Sequence, residues 1–115
     1  MKKIDSIIIH CSATRAEQDI KAKDIDRMHR ARGFSQIGYN YVIDLDGTIE
    51  AGRPLTIAGA HCIGYNDHSV GICYIGGLDT SGKPADTRTP VQKTAMDDLI
   101  NKLTREYEIA ELLGH

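Results

Sequence analysis

The chain has 115 residues, 41% of them hydrophobic and 26% charged, with a formal net charge of −2. This is the composition of one folded domain with a real core, and it excludes a disordered chain. No face is forced to be basic, so nucleic acid is not an expected partner, and no apolar run is long enough to span a bilayer. The opening MKKIDSIII carries two lysines, but its apolar stretch is only three isoleucines before polar residues resume, too short for a signal-peptide core. The expectation is a chain that is cytoplasmic as synthesised. Cys11, Cys62 and Cys73 are too few and odd in number for a disulfide framework, although one pair stays open in an exported protein.

Ser6 to Ile9 is a continuous apolar run, the pattern of a strand covered on both faces, and His10 stands at its end. Residues 13–22 are polar and read as a loop. In KDIDRMHRARG, Ile25, Met28 and Ala31 or Arg32 fall at helical spacing. Asp24 or an earlier residue can cap this helix, Gly33 suits its C-terminus, and His29 falls on a half-exposed flank. Tyr39 to Leu45 and Thr48 to Ala51 read as a hairpin turning at Asp46-Gly47. Residues 52–68 show no period and make a long surface segment. Ser69 to Ile75 is another strand, with Cys73 a small buried residue in it. After a loop, TPVQKTAMDDLINKLTREY is the clearest helix, with Thr89 as N-cap, Pro90 at the first helical position and Gln92 closing a capping box. Its apolar stripe is read as Val91, Ala95 or Met96, Leu99, Leu103 and Tyr107. IAELLGH reads as a final strand that ends in His115.

The order β-α-β-β-β-α-β predicts an α/β fold: a single domain with a mixed central sheet flanked by helices. Ligands in such sheets gather where strands end. His10 and His115 each end a predicted strand. Catalytic zinc takes three protein ligands and keeps one open position, so two strand-end imidazoles can begin such a site. They can equally be two satisfied polar residues at a sheet rim, and spacing dictates no third ligand. Tyr39 opens a strand. It is either a residue at the core's edge or a hydroxyl aimed at a reacting oxygen. His61, Asn66 and His68 lie in a glycine-rich segment, where binding residues concentrate but where Asn and Gly also serve turns. Cys62 and Cys73 fall in no metal-binding spacing, Cys11 faces away from His10 on a regular strand, and there is no GxSxG elbow.

Taken together, IIIHCSAT, GYNYVIDLDGTIEAGR, GAHCIGYNDHSVGICYIGG, TPVQ and LLGH resemble, in order and spacing, the zinc-dependent N-acetylmuramoyl-L-alanine amidases. These include the amidase-type phage lysozymes, and their animal relatives are the peptidoglycan-recognition proteins. The resemblance covers essentially the whole chain. It implies an amidase-like mixed sheet with a groove over one edge that holds the glycan-peptide. It implies Zn2+ held by His10 and His115, Tyr39 as the catalytic tyrosine beside the metal, and His61 and Asn66 as substrate contacts. The implied reaction is hydrolysis of the amide between N-acetylmuramic acid and L-alanine by a zinc-activated water. A non-catalytic peptidoglycan-binding module of the same fold is the alternative.

The family's third ligand, usually cysteine, follows the second histidine by a few residues, and a lysine or threonine stands just before it. Here the sequence stops at His115. The expectation is therefore an amidase-like domain over residues 1–115 that lacks its C-terminal segment, with an incomplete zinc site. A monomer is expected, with peptidoglycan or a muropeptide as partner. Its place would be the cell wall after release, as for a phage or prophage lysin, or the cytoplasm, as for a recycling enzyme.

Overall fold

A computed structural model describes residues 3–114. The elements run β1 (Ser6–Cys11), β2 (Thr14–Arg15), α1 (Ala22–Ala31), β3 (Tyr41–Ile43), β4 (Ile49–Ala51), β5 (Ser69–Tyr74), β6 (Gly77–Leu78), α2 (Pro90–Glu106) and β7 (Glu111–Gly114). Five strands form one mixed sheet in the order β4-β3-β5-β1-β7. β3, β5, β1 and β7 run parallel, and β4 returns antiparallel to β3. β2 and β6 make a separate two-residue parallel ladder, Thr14 with Gly77 and Arg15 with Leu78. It lies in segments whose polar composition read as loops.

β1 lies inside the sheet, between β5 and β7, and both its faces are covered. Ile7, with Ile43, Val70 and Ile72, packs against Met96, Leu99 and Leu103 of α2. Val42 and Cys73, which point the other way from β3 and β5, pack with Ile25 of α1 and with Ile37 and Ile75. The sheet is thus sandwiched between the helices, and its parallel strands have the all-apolar character that such burial demands. Among the described residues no helix is long and apolar enough to cross a membrane.

The capping signals of α2 hold. The Thr89 hydroxyl accepts the Gln92 N–H, and the Gln92 Oε1 accepts the Thr89 N–H at 2.9 Å. The stripe is corrected at its start, because Val91 is 51% exposed and the neighbouring Gln92 is fully buried. The Gln92 Nε2 donates to the carbonyls of Ile75 at 2.9 Å and Ile43 at 3.3 Å, tying the helix to the ends of β5 and β3. In α1 the N-cap is Lys21, whose N–H is taken by Asp24 at 2.9 Å, and Gly33 follows the helix at φ +97°. His29 is corrected as well. It is 6% exposed, while Met28 is 44% exposed.

The hairpin turns through Gly47 at φ +87°, but its strands are shorter than expected, and Tyr39 lies just ahead of β3. Among the described residues the last pair of the β1–β7 ladder is Ile9 with Gly114. His115 lies outside the described residues.

Candidate active site

His10 is carried on the face of β1 opposite Ile7 and Ile9, and it is 5% exposed. Its Nε2 lies 2.9 Å from Nδ1 of His61, with the two rings nearly perpendicular at 85°. His61 comes from the long segment between β4 and β5 and lies across Gly71 of β5. A Cβ at position 71 would fall 2.7 Å from the imidazole, so glycine there is what lets the ring lie on the strand.

Asn66 shapes the segment that carries His61. Its Oδ1 accepts the backbone N–H of His61 at 2.8 Å and of Cys62 at 2.9 Å, and its carbonyl accepts the Gly59 N–H. On the far side of His61, Nε2 lies 3.1 Å from the Ser69 hydroxyl, which donates to the Tyr65 carbonyl at 2.6 Å.

The Tyr39 ring lies between two imidazoles, 5.1 Å from that of His10 and 5.3 Å from that of His29. Burial pushes its hydroxyl pKa well above the ordinary value, and the neighbouring Cys73 and Cys11 thiols push the same way. The phenol therefore stays protonated and can act as a donor. It is not a base at neutral pH. Cys73, the partner of His10 in the β1–β5 register, is fully buried, and burial holds its thiol protonated too.

His29 accepts the Gly38 N–H on Nδ1 at 2.8 Å. A backbone N–H can only donate, so the neutral ring carries its own proton on Nε2. Burial lowers the pKa of His29, and the charges of Arg32 and Arg53 lower it further.

Of these groups, His29, Tyr39, His61 and Asn66 line a cleft of about 610 Å³. One wall is His29, Arg32, Phe34 and Tyr39, from α1 and the turn after it. The other includes His61, Cys62, Ile63 and Asn66. Ile63 is 97% exposed at the rim. On the α2 side of β1 a second cavity of about 450 Å³ is lined by His10, Tyr74, Arg88, Ile100 and Leu112, among others.

Of the residues expected from sequence, His10, Tyr39 and His61 thus meet at one place. Asn66 lines the cleft while bonding its own loop, and His115 lies outside the described residues. His29, Arg32, Phe34 and Ser69 were not foreseen. The signal for His29 was its spacing of four from Ile25, which its polarity obscured. Among the described residues no three His, Cys, Asp or Glu side chains gather into a metal-holding group. The donor chemistry of His10 nevertheless suits zinc, because it is a buried imidazole whose Nε2 is held by a second ring, as ligating histidines are.

The family model of N-acetylmuramoyl-L-alanine amidases matches residues 1–115. The endolysin of Klebsiella phage KP32 is 40% identical over 99% of this chain and 76% of its own length. In the fold comparison, the N-acetylmuramoyl-L-alanine amidase LysC from Clostridium intestinale superposes with a TM-score of 0.85 at 31% identity, covering 99% of this chain and 71% of its own. A Drosophila PGRP-LB variant in complex with tracheal cytotoxin superposes with a TM-score of 0.82 at 30% identity, over 100% of this chain and 71% of its own.

Proposed function

The chain belongs to the N-acetylmuramoyl-L-alanine amidase family and is a peptidoglycan hydrolase, and from that premise we propose how its site works. The substrate is the amide between N-acetylmuramic acid and L-alanine, laid in the cleft between α1 and the His61 segment. His10 and His115 would hold zinc. When bound, it supplies a Lewis acid that activates water and polarises the amide carbonyl.

The observation that carries this reading is the convergence of His10 on Tyr39 and His61, two residues of the cleft wall. Tyr39 keeps its proton and donates to the oxyanion that develops on the amide oxygen. Arg32 brings a guanidinium to the cleft wall, where carboxylates of a peptide stem find a partner. The neighbour that holds tracheal cytotoxin supports a peptidoglycan or muropeptide ligand for this cleft.

The test is peptidoglycan hydrolysis together with metal analysis on the wild type and on His10→Ala. In the full-length protein the reading expects zinc in the wild type, and loss of both metal and hydrolysis in the variant. Undiminished hydrolysis by His10→Ala would overturn it. Peptidoglycan binding by the wild type with no hydrolysis at all would favour the binding-module alternative.

A further inference from the structure

We propose that Ser69 is a positioning residue, which sets the tautomers of His61 and His10 through one directed chain of hydrogen bonds. The Tyr65 carbonyl has no proton to give, and the Ser69 Oγ lies 2.6 Å from it, so the single hydroxyl proton points there. Toward His61 the same oxygen can then only accept. His61 Nε2, 3.1 Å away, carries the proton of that contact. A neutral His61 protonated on Nε2 has its lone pair on Nδ1. That nitrogen lies 2.9 Å from His10 Nε2, which must be the donor. His10 is therefore protonated on Nε2 and has its lone pair on Nδ1.

The direction cannot be reversed without cost. With the proton of His61 on Nδ1, its Nε2 would need a donor from Ser69, and the hydroxyl would have to give up its 2.6 Å bond to the Tyr65 carbonyl, which would keep only the His68 N–H. The elements hold the chain in place. Ser69 is fully buried at the first position of β5, the His61 ring lies on Gly71 two residues further along that strand, and Asn66 holds the backbone N–H of His61. Ser69 thus touches neither the cleft residues across from it nor any reacting atom. It acts on His10 through His61. The relay is a property of the metal-free protein. Its consequence, that a zinc ion meets Nδ1 of His10, rests on the zinc reading above.

The experiment is nitrogen NMR of histidine-labelled, metal-free protein, combined with zinc affinity from chelator competition, for the wild type, Ser69→Ala and Ser69→Thr. In the wild type the Nε2 of His10 and of His61 should give the signals of protonated nitrogens. Ser69→Ala should turn the His61 signals into a mixture of tautomers and weaken zinc about ten- to a hundredfold, the range for losing an outer partner of a metal ligand. Ser69→Thr, which keeps the hydroxyl, should retain the wild-type signals. Unchanged tautomers in Ser69→Ala would overturn the relay and leave the zinc reading standing. A wild type with the assigned tautomers, shifted in Ser69→Ala but without zinc affinity, would support the relay and remove the metal.

Discussion

Tyr39 is where two physical accounts of one residue part. Its ring packs between His10 and His29, which a residue at the core's edge would also do. Its hydroxyl stays protonated well past neutral pH because the site is partly buried, which an oxyanion donor requires. Tyr39→Phe keeps the ring and removes only the hydroxyl. The donor account expects kcat to fall by roughly one to three powers of ten with KM nearly constant, since the bond is made in the transition state. Thermal unfolding should shift little. The packing account expects the opposite split, with full turnover and any loss appearing in stability. Steady-state kinetics and a melting curve on the same variant decide. Wild-type kcat would take Tyr39 out of the mechanism.

At the scale of elements, each helix buries a polar residue one position from the apolar one that periodicity favours. His29 is buried and Met28 is half exposed, and Gln92 is buried while Val91 is half exposed. Hydropathy ranks methionine and valine above histidine and glutamine, but it does not register a dedicated backbone partner. His29 takes the Gly38 N–H, and Gln92 serves the Ile75 and Ile43 carbonyls, so each satisfies a group that the fold would otherwise leave buried and unpaired. The strands, the capping box and the Gly47 turn were legible because each has a local cause in sequence. The β2–β6 ladder was not, because two residues are too few to make a period. His10, Tyr39 and His61 were legible as chemistry-bearing residues at strand ends and in a glycine-rich loop. Ser69 was not, because its role lies in the direction of one proton. Gln92→Leu tests the helix anchor. It fills the same space but leaves the Ile75 carbonyl and the Thr89 N–H without their partners, which should cost about 2 kcal/mol in urea unfolding. A loss under about 0.5 kcal/mol would mean that apolar packing alone docks α2 on the sheet.

For the whole molecule, the pH dependence of stability should have two limbs with different owners. On the acid side, Asp5, Asp26, Asp46, Asp79 and Asp86 all hold their protons less tightly than an ordinary aspartate, chiefly through hydrogen bonds. Asp86 reaches about 2, against the Arg88 guanidinium. Depressed carboxylates contribute stability that is present above the unfolded value of about 4 and is lost as pH falls through the folded ones. The other limb belongs mainly to Asp44. It is 2% exposed, and one of its oxygens is buried without a hydrogen-bond partner. Burial first and the neighbouring Glu50 carboxyl second raise it to about 7, with the Lys21 ammonium 3.7 Å away opposing them. Between its unfolded value of 3.8 and about 7, the folded state binds a proton that the unfolded state has released, so stability falls as pH rises through this range. His68 adds to the same limb. Its pKa is raised by its bond to Asp5, so its contribution is also lost as pH rises through the folded value. The cluster matters to the cleft because Glu50 accepts the Ala22 N–H at the start of α1, the helix that carries His29. Asp44→Asn removes the titration and leaves a neutral group of the same shape. Urea unfolding from pH 4 to pH 8 should show the wild type losing stability above about pH 5. The variant should keep most of it and match the wild type on the acid limb. A variant whose curve runs parallel to the wild type throughout would show that Asp44 is not the group that titrates.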